Sequence, residues 1–198
     1  MSVNIFDDLH ADGRTLARLH RRLERQADEA GVLDVAYRTV DSPVGPLLLA
    51  ATPAGLVRVA YGVEDHDAVL ARLATTVSPR ILRAPDRLDN AARQLDEYFA
   101  RRRTFFDVPV DLRLANGFRR SVIEHLREIG YGRRESYAAV AAAVGRPRAV
   151  RAVGTACAHN PLPVVIPCHR VVRSDGSTGR YVGGARAKST LLNLEAAA

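Results

Sequence analysis

Cys168 and His169 stand side by side in Pro167-Cys-His-Arg170, so a thiol, an imidazole and a guanidinium meet in three consecutive residues. A thiol attacks as thiolate, and nearby cationic groups favour that form. The pair lies between two apolar β-branched runs, Val164-Val165-Ile166 and Val171-Val172, which read as buried strand. Pro167 lacks an N–H and fixes its own φ, so it interrupts that strand just before the thiol. Neighbours on a strand point to opposite faces, so His169 reaches Cys168 only across a bend or through a water. Downstream, Gly176, Gly179, Gly183 and Gly184 mark a turn and a loop able to approach a ligand closely. A short helix over about Arg186 to Ala196 carries Glu195. Cys157, the second of two cysteines, reads as buried and inert, and two cysteines make neither a disulfide framework nor a zinc cluster.

Charge separates the two halves of the chain. Met1 to Ala115 holds 16 Arg against 17 acidic residues, net −1, whereas Asn116 to Ala198 holds 13 basic against 5 acidic, net +8. All the excess positive charge of a chain at +7 therefore lies beside the thiol, which points to a polyanionic substrate, nucleic acid above all. The 198 residues, 47% hydrophobic, suffice for one large or two small domains with a real core. No apolar run approaches the roughly 20 residues that span a bilayer, and the N-terminus has no signal-peptide core, so the cytoplasm is expected, with no membrane partner.

The positioning elements follow in order. Residues 1–34 form an amphipathic extension in which Leu16, Leu19, Leu23 and Ala27 share a helical face, expected to pack on its own domain, with Gly31 as the stop. Residues 35–115 form an α/β domain. Val35 to Val40, Leu47 to Ala51 and Leu56 to Tyr61 are strands joined by Pro/Gly turns. Asp65 to Leu73 and Asp89 to Ala100 are helices, Arg101 to Arg103 a solvated face, and Phe105 to Leu112 a further strand; nothing in this half converges on chemistry. Residues 116–198 hold a helix with Phe118, Val122, Leu126 and Ile129 on one face. Ser136 then caps Tyr137 to Val144, Gly145-Arg-Pro-Arg breaks the helix, and Ala149 to His159 forms the next. Two short helices across a tight turn read as helix-turn-helix, with Arg146, Arg148 and Arg151 gathered where free N–H groups can meet phosphates.

Asn160-Pro-x-Pro-x-x-x-Pro-Cys-His-Arg-Val171, followed by Tyr181-x-Gly-Gly184 and the late Glu195, resembles the O6-alkylguanine-DNA alkyltransferases, over about Val35 to Glu195. The resemblance implies a ribonuclease-H-like α/β domain followed by a winged-helix-like domain that carries the helix-turn-helix and the reactive Cys. It implies direct reversal of DNA damage. Cys168 takes the alkyl group from guanine O6, with thymine O4 a second target, and the protein is spent in one turnover without metal or redox cofactor. Further implied are a His169 that accepts the thiol proton through a water and a Glu195 that orients the imidazole. Tyr137 helps protonate the leaving guanine, and Asn160 ties the second helix to the reactive segment. Arg151 enters the duplex in place of a flipped nucleotide, beside Arg146, Arg148, Ala149, Ala152 and Gly154. The pocket is made by Tyr181, Val182, Gly183, Lys188 and Pro163. The partner is double-stranded DNA carrying O6-alkylguanine, bound as a monomer through the minor groove, which reads sequence poorly and so suits repair at any site. Val182, Glu135 and Ala185 depart from the family pattern, which bears on the range of alkyl groups. Two other classes remain, a DNA-binding lesion sensor without chemistry and a thiol hydrolase; a hydrolase turns over many times.

Overall fold

The computed structural model describes residues 13–196. The rest of the N-terminal extension and the last two residues lie outside the described residues. Helix α1 (Gly13–Glu29) ends at Gly31, whose φ of +63° is the left-handed conformation of a helix stop. Strands β1 (Val35–Val40), β2 (Leu47–Thr52) and β3 (Gly55–Tyr61) form an antiparallel meander. β4 (Ile81–Arg83), which the sequence pattern does not signal, runs parallel to β1, so the sheet order is β3-β2-β1-β4.

Side chains on β2 alternate between faces and fill two cores. Leu48 and Ala50 pack with Val35, Val57 and helix α2 (His66–Thr76) through Val69 and Leu73. Leu47 and Leu49 join the larger core, with Leu95 and Tyr98 of α3 (Asp89–Phe99). That larger core continues without interruption into Val122, Ile123 and Leu126 of α4 (Gly117–Leu126) and on to Cys168 and Leu191. The sheet is thus a platform on which the second half of the chain is built.

Phe105 to Leu112 is not a strand. It touches the sheet at one bridge, Leu56 with Val110, where Leu56 N–H donates to Pro109 O and Asp111 N–H to Leu56 O, both at 2.8 Å. Pro109 has no N–H to extend a ladder, and the Asp111 carboxylate is taken by Thr52 Oγ1 at 2.6 Å. Gly55 makes the bridge possible, since a Cβ there would lie 2.5 Å from the Pro109 carbonyl.

The amphipathic extension docks through its polar side and its end, with His20 Nε2 lying 2.6 Å from Arg83 O. Ala27 packs against the core and Asp28 pairs with Arg87, but Leu16, Leu19 and Leu23 are about half exposed. Its apolar face does not lie on the domain, contrary to expectation.

In the second half, β5 (Glu135–Ser136) leads into α5 (Tyr137–Ala143), capped by Ser136 Oγ accepting from Ala139 N at 3.1 Å. Gly145, at φ +71°, lets Arg146 N–H return to Ala141 O at 2.9 Å, and α6 (Val150–Ala158) follows as the second helix of the helix-turn-helix. β6 (Val171–Val172) pairs parallel with β5, fixing the start of α5 beside the residues that follow Cys168. Helix α7 (Gly184–Ala196) closes the described chain.

Candidate active site

Of the two apolar runs around the thiol, only Val171-Val172 is strand. Val164 to Ile166 is a buried turn, in which Ile166 N–H donates to Leu162 O at 2.8 Å and Val164 sits at φ +72°. Pro161, Pro163 and Pro167 remove three donors from a seven-residue stretch, so no ladder can form. A β-branched residue at positive φ is strained, and such strain gathers where the surroundings over-determine the chain. Here Asn160 is the fixing group. Its Nδ2 donates to Ile166 O at 2.8 Å and its Oδ1 accepts from Leu162 N at 3.0 Å, tying the end of α6 to the segment before the nucleophile.

Cys168, His169 and Arg170 form a 3₁₀ turn, which supplies the bend the pair needs. His169 is fully buried, and its Nε2 lies 2.9 Å from Glu195 Oε1. Nδ1 is buried with no hydrogen-bond partner in the protein, so it is the ring atom left to take a proton. Burial holds the His169 imidazole below its ordinary pKa, against the pull of Glu195.

Glu195 is the best-connected carboxylate of the site. Besides His169 it accepts from Arg170 Nε at 2.9 Å, from Tyr98 Oη at 2.7 Å and from Gly132 N at 3.2 Å. Burial acts to raise its carboxyl, but the bonds and charges of His169 and Arg170 prevail and hold it well below the usual carboxylate range.

The expectation that cationic neighbours favour the Cys168 thiolate holds for Lys188, but burial outweighs it. Burial pushes the thiol up to about 11, outweighing Asn160, Lys188 and Tyr181, which act to lower it. The Arg170 guanidinium does not serve the sulfur; it is committed to Glu195 and to Ile129 O. Lys188 is fully buried, donates to Val171 O at 2.6 Å and stands 5.9 Å from the centre of the Tyr137 ring.

Two glycines admit aromatic rings to the site. A Cβ on Gly179 would lie 2.3 Å from Tyr137 Oη, and one on Gly183 would lie 2.7 Å from the Tyr61 ring. Tyr61 Oη in turn lies 2.8 Å from Tyr181 Oη. Burial pushes the Tyr137 hydroxyl up to about 12, with the sulfurs of Cys157 and Cys168 adding to the effect, so it is a proton donor at neutral pH. Cys157 is buried, and burial raises its thiol further still.

Cys168, His169, Glu195, Asn160, Tyr137, Tyr181 and Lys188 therefore lie together around the 3₁₀ turn. Pro163 is buried in the strained turn, and Val182 and Gly183 are half-buried beside Tyr181. Arg151 and Gly154 line a groove of about 400 Å³ together with Tyr137, Arg173 and Gly179. Arg146, Arg148 and Ala149 border a separate cleft at the helix-helix turn, and Ala152 is exposed on α6. A larger cleft, about 560 Å³, is not the site: it lies behind Pro167 and Arg170, and Cys168 does not line it. Sequence reading missed Tyr98, Tyr61 and the use of Arg170. Ala91, Leu95 and Tyr98 recur at helical spacing in α3, and a tyrosine on a buried face needs a partner for its hydroxyl. That signal asks for an acceptor without saying which.

Comparison with known proteins gives the family. The family profile described as "6-O-methylguanine DNA methyltransferase, ribonuclease-like domain" matches residues 35–112, and "6-O-methylguanine DNA methyltransferase, DNA binding domain" matches residues 117–197. The methylated-DNA–protein-cysteine methyltransferase of Mycolicibacterium paratuberculosis is 40% identical over 161 residues, 81% of this chain and 92% of that protein. The constitutive enzyme of that name from Bacillus subtilis is 37% identical over 160 residues, 80% of this chain and 94% of that one. The crystal structure of Mycobacterium tuberculosis O6-methylguanine methyltransferase aligns with a TM-score of 0.73 at 37% identity, covering 82% of this chain and 93% of that one. The Mycobacterium tuberculosis OGT in complex with DNA aligns at 0.71 with the same identity and coverage. An α/β ribonuclease-like half followed by a DNA-binding half that carries the Cys168–His169–Glu195 chain places this protein in the 6-O-methylguanine DNA methyltransferase family.

Proposed function

We propose that the protein repairs DNA by direct reversal, moving the alkyl group from guanine O6 to its own Cys168 once per molecule. The observation that carries this reading is the buried series Cys168, His169, Glu195, in which one imidazole nitrogen is bound to the carboxylate and the other is left to accept a proton. The Cys168 proton passes to His169 Nδ1 through a water, and Glu195 holds the resulting imidazolium. The thiolate then attacks the alkyl carbon. An S–C bond forms, the C–O6 bond breaks, and the departing guanine takes a proton from Tyr137. The thioether is not reversed by thiol exchange, so the protein is consumed.

The target atom is stacked inside a duplex and must be flipped out. The groove between α6 and the Tyr137–Gly179 contact is where the nucleotide enters, from the minor-groove side, with Arg151 filling the gap. Ala149 supplies no side-chain cap to α6, so the first-turn N–H groups of the helix remain available to phosphate. The division of labour falls near Asn116, and the protein acts as a monomer. A protein that works on DNA and depends on a reduced thiol fits the cytoplasm.

Incubation with an excess of O6-methylguanine duplex should add one methyl mass to the peptide holding Cys168 and none to that holding Cys157. Cys168→Ala should bind duplex and transfer nothing. Turnover of many equivalents of lesion would sink this reading in favour of a hydrolase.

A further inference from the structure

At the C-terminal end of α6, a cleft of about 300 Å³ opens between α2, β3 and the start of α4. Three arginines line it, Arg58 and Arg72 from the first half of the chain and Arg119 from the second. Glu64 is the one acidic residue in the lining, and it is committed to Arg58 and to Tyr61 N–H. Among the described residues, neither Arg72 nor Arg119 has a carboxylate partner; the Arg119 guanidinium donates to Leu114 O. The walls include Val69, Leu73 and Leu114, so two guanidinium charges in excess face a concave, partly apolar site. Burial lowers the Arg58 guanidinium pKa, and repulsion from Arg72 adds to the effect. Such a site is completed by an anion with oxygens to accept forked N–H groups.

The position of the cleft says which anion. Ala158 and His159 line both this cleft and the groove that holds Arg151, Arg173 and Arg180, so the two form one cationic track along α6. From Arg151 to His159 the helix rises about 12 Å. That matches roughly three to four nucleotide steps at about 3.4 Å each along one strand. We propose that the Arg58–Arg72–Arg119 cleft binds a backbone phosphodiester of the DNA strand lying along α6, a few nucleotides from the flipped base. The first half of the chain then takes part in DNA binding, and Arg119 closes the cleft from the second half. This rests on the reading that the α6 groove takes DNA, and the test separates the two.

The experiment uses the full chain, with Arg72→Gln and Arg72→Gln/Arg119→Gln as variants. Affinity for an undamaged duplex extending past α6 is measured across a salt series, and the transfer rate is measured with a methylated trinucleotide too short to reach the cleft. Each arginine removed should weaken duplex binding and flatten the slope of log K against log salt by up to about 0.9 for each phosphate left without its cation. The trinucleotide rate should stay within about twofold of wild type, which shows an intact active site. An unchanged salt slope overturns the proposal, and so does a trinucleotide rate that falls as far as duplex affinity, which would make the cleft structural. A thermal shift in inorganic phosphate that the variants lose, with duplex affinity unaltered, would assign the cleft to free anions and overturn the DNA assignment. Wild type that reacts with the trinucleotide but shows no salt-dependent duplex binding would remove the DNA-groove reading and this proposal together.

Discussion

At the scale of single residues, the resting thiol is protonated at neutral pH and must be ionised during the reaction rather than stored as thiolate. In the free protein, alkylation of Cys168 by iodoacetamide should be slower at pH 8 than that of an unfolded peptide. It should rise with pH toward an inflexion near 11, where the peptide's lies near 9.0. An inflexion below 8 would mean that His169 already holds the proton. Glu195 gives a second prediction, through Tyr98. The Glu195 carboxyl is depressed in the fold, so its contribution is full above its unfolded value near 4.5 and is lost as pH falls toward the folded value. Tyr98→Phe removes one donor to a buried carboxylate, about 1.5–3 kcal/mol. The acid-unfolding midpoint should move to higher pH and methyl transfer should slow, both read against wild type. An unmoved acid midpoint would show that Arg170 and His169 alone set the carboxylate. Of these residues, Cys168, His169 and Glu195 are legible in the sequence because a short motif and a late carboxylate carry them. Tyr98 is not, because its role depends on a partner 97 positions away in sequence.

At the scale of elements, the strand expected before the thiol is a proline-rich turn, and the strand expected over Phe105 to Leu112 is a single bridge. Both expectations rest on β-branched and aromatic content, and in both the prolines decide the matter by removing ladder donors. The helices of the second half match their expected spans closely, because Ser136 and Gly145 mark their ends by local chemistry that no distant partner alters. For α6 the consequence concerns Arg151, exposed in the groove beside Tyr137. Filling the space of a flipped base offsets part of an unstacking cost of a few kcal/mol. Arg151→Ala should therefore slow repair of methylated duplex much more than reaction with free O6-benzylguanine or single-stranded methylated DNA. Equal slowing of duplex and free substrate would make Arg151 a support of the site instead.

At the scale of the whole molecule, the two halves differ in charge yet share one core, and the Glu195 carboxylate is held partly by a tyrosine of the first half. The charge contrast is plain in the sequence; the shared core is not, since it arises from the inner face of the sheet meeting α4 and α7. Only α1 stands apart. It is attached by the packing of Ala27, the surface pair of Asp28 with Arg87 and a bond from His20 to Arg83 O at 2.6 Å. An exposed ion pair contributes about 0–1 kcal/mol. Removal of residues 1–30 should leave transfer unchanged and lower stability by no more than about 2 kcal/mol, checked by denaturant unfolding alongside the mass assay. A large loss of activity would assign α1 a part in repair.

The buried Lys188 is the only lysine in the chain, and its amine is turned inward onto Val171 O, next to the nucleophile's turn. Amine acylation of a lysine in the folded protein can occur only when α7 parts from that turn, so the label is a clock for breathing of the active site. Acylation of Lys188, followed by mass spectrometry, would time these openings with and without DNA and without any engineered probe.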